Sequence, residues 1–232
     1  MFKVLTVTID VLPNVVPLVA GYLQSYATLD PAIRERYEFH TYSCATTVTY
    51  EDLLRDLEQQ DADVYAFSCY CWNTRLVRRV TAALLEAKPG VNVILGGPQV
   101  MNQGHSYLNP DHPSLVLCNG EGEKTFRSYL LELLAPRPNF ANIRGMSFYY
   151  GDKLVTTLPE ERIKDLDEIP SPFLAGCFPD DAQYTMCFLE TNRGCPFKCS
   201  YCYWGGAIGA KVNKMGVDRI HGDMTWISKR GI

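Results

Sequence analysis

Three cysteines stand close together late in this 232-residue chain, as Cys195, Cys199 and Cys202. The CxxxCxxC spacing places three thiol groups on one short loop, and thiolates are ligands of both zinc and iron–sulfur clusters. Three thiolates fit three corners of a four-iron, four-sulfur cube and leave the fourth iron open to a small molecule. We therefore predict an open metal site, which can do chemistry, at these residues.

Two other interpretations use the same thiols. A structural zinc site would need a fourth ligand, for which Cys177 and Cys187 are candidates. Zinc motifs usually pair two CxxC-type knuckles, however, and the sequence offers no second pair. A disulfide framework fits poorly, because nine cysteines is an odd number and the amino terminus does not resemble a secretory signal.

Composition narrows the class of protein. The net charge of −4 and the lack of a Lys/Arg cluster argue against nucleic acid or an anionic membrane as a partner. No apolar run in the sequence approaches the roughly 20 residues that span a bilayer. We therefore expect a cytoplasmic protein with reduced thiols.

Apolar strands alternate with amphipathic helices through the first 135 residues. This order, with short connections, predicts an α/β fold with a doubly wound parallel sheet of the Rossmann or flavodoxin type. Asn14 and Thr49 stand where they could cap the first two helices. Ligands of such sheets bind outside the carboxyl ends of the strands, so the strand-to-helix loops are the candidate site. The predicted strands are residues 2–9, 37–44, 63–69, 91–95 and 115–118, and the predicted helices are residues 15–28, 49–60, 74–87 and 124–134.

The cysteine loop resembles that of the radical S-adenosylmethionine (SAM) enzymes. The resemblance implies that Cys195, Cys199 and Cys202 hold a 4Fe-4S cluster, and that the amino and carboxylate groups of S-adenosylmethionine chelate its fourth iron. Tyr201 fills the family's aromatic position before the last cysteine, and Tyr203 is a second predicted cofactor contact. The family also implies a reducing partner such as flavodoxin or ferredoxin.

The strand-to-helix loops resemble those of the cobalamin-binding domain that precedes the barrel in many of these enzymes. Ser68 and the pair Gly96-Gly97 match its later motifs. The resemblance implies that the serine hydrogen-bonds the buried nucleotide tail of cobalamin and that the glycines make room for it. Alternatively, the serine merely ends a strand and the glycines form a turn. Glu121, in a Gly-Glu-Gly-Glu segment frequent in the family, is a further candidate ligand contact, whereas Glu123 is expected to favour the start of the next helix.

The loop after the first strand departs from one pattern of cobalamin proteins. Those that bind cobalt through histidine carry Asp-x-His-x-x-Gly there, whereas this chain has Asp10 followed by Leu12 at the histidine position. None of the four histidines falls in this loop, so no imidazole is expected on the lower face of the cobalt. Trp72, with Asn73 beside it, is the best candidate to cover that face, although Trp72 could equally pack as an ordinary core residue.

The rest of the sequence predicts a change of architecture. A hairpin and a proline-containing linker are expected first, followed by the beginning of a TIM-type radical SAM barrel with Ile220, Met224 and Ile227 on one face of its first helix. A full barrel takes about 250 residues, so we expect the chain to be the front part of a longer protein. The predicted domains are residues 1–135, 136–183 and 184–232, and the later elements are a hairpin at 143–150 and 153–158, a strand at 184–191 and a helix at 217–229.

These patterns and resemblances predict a cobalamin-dependent radical SAM methyltransferase that acts on a carbon centre, in natural-product or cofactor biosynthesis. Its substrate would be a small molecule or a peptide, and the sequence does not identify a catalytic residue. Two alternatives stay open. One is an enzyme that uses the same cofactors for rearrangement or cyclisation, and the other is a cobalamin- or metal-binding module without radical chemistry.

Overall fold

A seven-stranded sheet forms the centre of the molecule in the computed structural model, which describes residues 1–197, 199–202 and 211–232. Its strands are β1 (Phe2–Asp10), β2 (Tyr37–Ala45), β3 (Val64–Ser68), β4 (Asn92–Gly96), β5 (Leu115–Cys118), β6 (Met146–Tyr150) and β7 (Lys153–Thr156). They lie in the order β2-β1-β3-β4-β5-β6-β7. The first five are parallel, which confirms the predicted sheet, and β6 and β7 add the predicted hairpin in antiparallel register beside β5. The hairpin is thus part of the sheet, while the domain boundaries drawn from the sequence stay a prediction.

Helices cover both faces of this sheet. They are α1 (Leu18–Ala27), α2 (Pro31–Arg36), α3 (Tyr50–Gln59), α4 (Thr74–Ala87), α5 (Gly104–Tyr107), α6 (Gly122–Leu133) and, after the cysteines, α7 (Val217–Lys229). Successive residues of a strand point to opposite faces, so Leu5 and Val7 pack with α3 and α4, whereas Val4 packs with α1, α2 and α6. Two covered faces explain why the strands are almost continuously apolar. No helix within the described ranges is both long and apolar enough to cross a bilayer.

The first helix begins later than the sequence predicted. Thr49 does cap α3, since its Oγ1 accepts a hydrogen bond from the Asp52 N–H at 3.1 Å. Asn14 caps nothing, because it adopts a positive φ of 54° and α1 starts only at Leu18. The intervening Val15 and Val16 are buried and extended, since they pack and pair with a later segment of the chain.

That later segment is residues 184–191, which were predicted to form the first barrel strand. The structure has no continuous strand there, which corrects the strand assignment, while the place of the segment in a barrel stays a prediction. The segment has one isolated parallel bridge, between Met186 and Val15, with hydrogen bonds from Val16 N to Met186 O at 2.9 Å and from Thr185 N to Asn14 O at 2.9 Å. An apolar run becomes a strand only where a neighbour offers donors and acceptors along its length. Here the pairing reaches only the short loop after β1. Directly after this segment, β8 (Asn192–Arg193) pairs with β9 (Asn213–Lys214).

Helix α7 matches the predicted helix, but one of the three residues predicted for its packed face lies in solvent. Ile220 and Ile227 join apolar clusters, as expected, whereas Met224 is exposed. Its neighbour Asp223 is fully buried, accepts a hydrogen bond from the Ser171 hydroxyl and lies 3.8 Å from the Arg219 guanidinium. These polar partners hold the aspartate inside, and the helical rotation then carries Met224 out to solvent.

Candidate functional site

A cavity with two adjoining parts opens at the carboxyl edge of the parallel strands. The deeper part, here called the slot, has a volume of about 370 Å³ and lies between the sheet and helices α1 and α6. The wider part, here called the mouth, has a volume of about 1050 Å³ and lies above the loops that follow β1 and β3. Ser68, Gly97 and Glu121 line both parts, which places the two side by side. This is the edge where parallel sheets bind their ligands.

Ser68 and the two glycines stand where the slot meets the mouth. Ser68 pairs with Gly96 across β3 and β4, and within the described residues its hydroxyl makes no hydrogen bond, which leaves it free to bind a ligand. Gly97 has a φ of +99°, and a Cβ there would lie 2.7 Å from the Cys69 carbonyl oxygen. A Cβ on Gly96 would meet only the Cys118 Cβ, at 3.9 Å. The backbone therefore requires glycine at position 97, while at position 96 glycine leaves space inside the slot.

The aromatic pair after β3 forms one wall of the mouth. The Trp72 and Tyr70 rings stack with centroids 4.5 Å apart, and Trp72 Nε1 donates to the Ile9 carbonyl at 3.1 Å. The Trp72 side chain is half exposed, so it is not an ordinary core residue. Asn73 lies outside both linings: its buried amide donates to the Ser68 and Ile9 carbonyls and accepts from the Tyr70 N–H. Asn73 thus holds the loop in shape, and a direct cofactor contact by it stays a prediction.

The opposite wall of the mouth follows β1. Asp10 and the half-exposed Leu12 both line it. Burial raises the pKa of Asp10, and a hydrogen bond with Thr8 partly opposes that rise. Of the described residues that line either part of the cavity, none is a histidine.

Glu121 faces the cavity, but its carboxylate already has protein partners. Arg162 Nε donates to one oxygen at 3.2 Å, and the Ile163 backbone N–H donates to the other at 3.0 Å. Its predicted contact with a ligand stays a prediction. The observed contacts tie the loop after β5 to residues 162 and 163, a link that the sequence reasoning missed.

A buried arginine links the next acidic residue to the cysteine segment. Arg193 Nη2 lies 2.6 Å from Glu123 Oε1 and 3.0 Å from Glu190 Oε2, and its guanidinium stands over the Tyr22 ring at 5.5 Å. Burial alone would lower the pKa of Arg193, but the carboxylates of Glu123 and Glu190 outweigh it and the pKa rises above its usual range. Glu123 does lie in the first turn of α6, as expected. Its ion pair with Arg193 was not foreseen, because 70 positions separate the two residues.

The three cysteines lie beyond this arginine. Cys195 is half-buried, Cys199 and Cys202 are exposed, and the Cys202 N–H donates to the Cys199 carbonyl at 3.1 Å. Over the described ranges, no three His, Cys, Asp or Glu side chains approach closely enough to hold a metal ion. The donor set suits an iron–sulfur cluster chemically, but its side chains are not gathered. Tyr201 is exposed, and Tyr203 lies outside the described residues.

The two cysteines considered as a fourth zinc ligand pack elsewhere. Cys177 and Cys187 contact an apolar cluster built around Phe173 and Phe178. Burial raises the pKa of each thiol to about 11. Both side chains are packed into that cluster, and over the described ranges neither joins a group of three His, Cys, Asp or Glu side chains that could hold a metal ion. This packing gives no support to the zinc interpretation.

Comparison with known proteins agrees with this geometry. Over 93% of its length the chain is 34% identical to 2-(S-pantetheinyl)-carbapenam-3-carboxylate methyltransferase of Streptantibioticus cattleyicolor. It is 32% identical, again over 93% of its length, to the cobalamin-dependent radical SAM methyltransferase TokK of Streptomyces tokunonensis. The chain spans about a third of the length of these relatives, covering 32% of each.

A solved structure and a family model support the fold described above. The cobalamin-dependent S-adenosylmethionine radical enzyme OxsB, with aqua-cobalamin and S-adenosylmethionine bound, superposes with a TM-score of 0.74 over 100% of this chain and 32% of its own, at 18% identity. At that identity the likeness shows the fold alone. The family model described as B12 binding domain matches residues 5–130, which include most of β1, all of β2 to β5 and most of α6. The chain therefore belongs to the B12-binding domain family.

Proposed function

We propose that this chain forms the cobalamin-binding part of a cobalamin-dependent radical SAM methyltransferase that acts on a carbon centre. The observation that carries the proposal is the two-part cavity at the carboxyl edge of the sheet, whose wall continues into the segment leading to Cys195. One part has room for the nucleotide tail of cobalamin and the other for the corrin ring. The same wall would bring the cysteine loop next to the cofactor.

The slot is the proposed site of the nucleotide tail. Its lining is mainly apolar, with the free hydroxyl of Ser68 at the entrance and the side-chain-free Gly96 beside it. In a mainly apolar slot this hydroxyl would help to orient a ligand, because a buried polar group of the tail needs a partner. The corrin ring would lie in the mouth, against Asp10, Leu12 and Trp72.

The lower face of the cobalt would meet a surface without an imidazole. Leu12 stands at the position of the missing histidine, and Trp72 is held over the mouth by its stacking on Tyr70 and its hydrogen bond to Ile9. Apolar side chains there exclude water from the cobalt. The protein thereby sets the environment of the metal without supplying a ligand.

The cysteine loop would hold the second cofactor. We assign Cys195, Cys199 and Cys202 to a 4Fe-4S cluster, with Tyr201 and Tyr203 as further contacts of bound S-adenosylmethionine. When bound, the cluster with S-adenosylmethionine supplies a carbon radical and cobalamin supplies a methyl group. Electrons would come from a flavodoxin or ferredoxin in the cytoplasm. Because the relatives' names include a carbapenam carboxylate, we propose a small molecule of natural-product biosynthesis as the substrate.

Isotope transfer tests this function. The intact protein is reconstituted anaerobically with iron, sulfide and cobalamin, then given S-adenosylmethionine labelled in its methyl group, a reductant and a pantetheinylated carbapenam. The label should appear on a carbon of the product. An unlabelled product that is rearranged or cyclised would contradict this proposal and would favour an enzyme that uses the same cofactors for rearrangement or cyclisation. If the protein bound cobalamin but no iron or sulfide, the alternative of a binding module without radical chemistry would be favoured instead.

A further inference from the structure

The cysteine loop is held at both ends by the short segment 120–123, which follows β5. At the first end, here called the first stem (residues 190–194), Arg193 pairs with Glu123. At the other end, the second stem (residues 211–214), Arg162 donates from Nη1 to the Lys211 carbonyl at 3.3 Å while its Nε binds Glu121. Two neighbouring glutamates of the cobalamin domain thus reach both stems, each through one arginine.

The stems also fix each other. β8 and β9 pair through Asn192 with Lys214 and Arg193 with Asn213. Gly194 has a φ of +114°, and a Cβ there would lie 2.1 Å from the Lys211 carbonyl oxygen, so only glycine allows this approach. The two ends of the cysteine loop are therefore placed as a unit by the segment 120–123.

These ion pairs are shielded from water. The side chains of Arg193 and Glu123 are 12% and 6% exposed, against 58% and 48% for the surface pair Arg55 and Asp52. A surface pair contributes little, whereas removing one partner of a buried pair leaves an uncompensated charge. The buried pair can therefore hold the stem in one place.

The same segment and the first stem form part of the slot. Gly120, Glu121 and Glu123 line it, together with Glu190, Asn192, Arg193 and Gly194 of the first stem. The second stem does not reach either lining, so a ligand affects it indirectly, through Arg162, through the Asn213 hydrogen bond to the Ile163 carbonyl and through the β8–β9 pairing. A ligand in the slot thus contacts both the glutamate segment and the first stem.

We propose that Glu121 and Glu123, with Arg162 and Arg193, are positioning residues that couple cobalamin binding to assembly of the iron–sulfur cluster. The inference rests on the proposed function. A ligand that fills the slot stabilises the first stem in the position described above. The arginines extend this stabilisation to the second stem. Coupling between two sites is reciprocal. A loaded cluster must therefore tighten cobalamin binding, and bound cobalamin must promote cluster loading.

The first experiment measures this coupling in the intact protein. Hydroxocobalamin is titrated anaerobically into cluster-free and into iron–sulfur-reconstituted protein. We expect the reconstituted protein to bind at least about fivefold more tightly, the lower end of typical coupling between sites. The variant Glu123→Gln/Arg193→Gln should bring the ratio close to one. This double change leaves Glu190 without its partner, but Glu190 is 28% exposed and can be hydrated.

Arg55→Gln is the matched control, because it removes an arginine from an exposed ion pair on α3. It should keep the wild-type ratio. Equal affinities with and without the cluster in wild-type protein would overturn the coupling. A ratio that survives in the double variant would overturn the assignment to these residues. If wild-type protein bound no hydroxocobalamin at all, the proposed function itself would be contradicted.

Hydrogen exchange gives a readout that needs no cluster and no activity. In cluster-free protein, hydroxocobalamin should slow amide exchange in the second stem, although that stem does not line the cavity. Arg162→Gln should reduce this protection, with the remainder passing through the β8–β9 pairing, while the direct protection of β4 and Gly97 persists. Undiminished second-stem protection in Arg162→Gln would show that the arginine does not contribute to the coupling, and would overturn this part of the proposal.

Discussion

The two adjacent glycines at the end of β4, Gly96 within the strand and Gly97 after it, allow the slot to be tested separately from the fold. Gly97→Ala places a side chain at a φ of +99° and brings its Cβ to 2.7 Å from a backbone carbonyl that cannot rotate away. Backbone strain of this kind costs about 1–3 kcal/mol. For a chain of this size that corresponds to a fall in Tm of roughly 2–12 °C. Gly96→Ala is the matched control, because its Cβ meets an ordinary contact at 3.9 Å, and it should leave Tm nearly unchanged.

Gly96→Val then separates stability from binding. Valine suits a strand, so the free energy of unfolding should change by less than about 1 kcal/mol. Its side chain enters the slot, and forcing a ligand against extra methyl groups costs about 1–3 kcal/mol, which is roughly a 5- to 150-fold weaker cobalamin affinity. Cobinamide, a corrinoid that lacks the nucleotide tail, should bind with unchanged affinity.

The assay is anaerobic absorbance titration with each corrinoid, together with thermal unfolding of the unliganded proteins. Equal weakening of cobalamin and cobinamide by Gly96→Val would show that the tail does not enter the slot. An unchanged cobalamin affinity would carry the same meaning. A Tm for Gly97→Ala as high as that of Gly96→Ala would refute the conformational reasoning.

Three further outcomes are expected. Changing Cys195, Cys199 and Cys202 together to alanine should remove the visible iron–sulfur absorption but preserve cobalamin binding; retained absorption would contradict the cluster assignment. Paramagnetic resonance of the Co(II) form should show no nitrogen superhyperfine splitting, because Leu12 stands at the histidine position; a splitting would reveal an axial imidazole. Ser68→Ala should weaken cobalamin binding by about 0.5–1.5 kcal/mol, the contribution of one hydrogen bond, with Tm unchanged; an unaltered affinity would mean that its hydroxyl does not bind the tail.

The sheet could be predicted from the sequence because its signals are local. Each parallel strand is a short apolar run closed by a turn, and each helix has its own period and, as at Thr49, its own cap. Residues 184–191 carry the same apolar signal without forming a strand, because pairing depends on a neighbour that the run itself does not specify. Asn14 and Met224 were misplaced for a related reason. The Asn14 carbonyl accepts a hydrogen bond from the distant Thr185 N–H, and Met224 is exposed because its neighbour Asp223 is bonded by the distant Ser171.

The same distinction between local signals and long-range contacts applies to the candidate site. Ser68, Gly96 and Gly97 could be predicted because they end consecutive strands, and parallel strands bring their carboxyl ends together. The ion pairs of Glu121 and Glu123 could not, since 41 and 70 positions separate these glutamates from their arginines. The one available signal was an excess of acidic residues in a segment that must be partly buried, where charges need partners.

The location of these carboxylates argues that the segment 120–123 serves the cysteine loop more than its own helix. A carboxylate that stabilised the start of α6 would accept hydrogen bonds from the first free N–H groups of that helix. Glu121 occupies the N-cap position and makes no such side-chain bond. Its oxygens bind Arg162 and the Ile163 N–H instead, and Glu123 turns to Arg193. The dipole of α6 adds a favourable field for both charges. The field itself has no direction towards the stems, so the directed hydrogen bonds are what hold the first stem at the cavity and tie the second stem to Glu121 through Arg162.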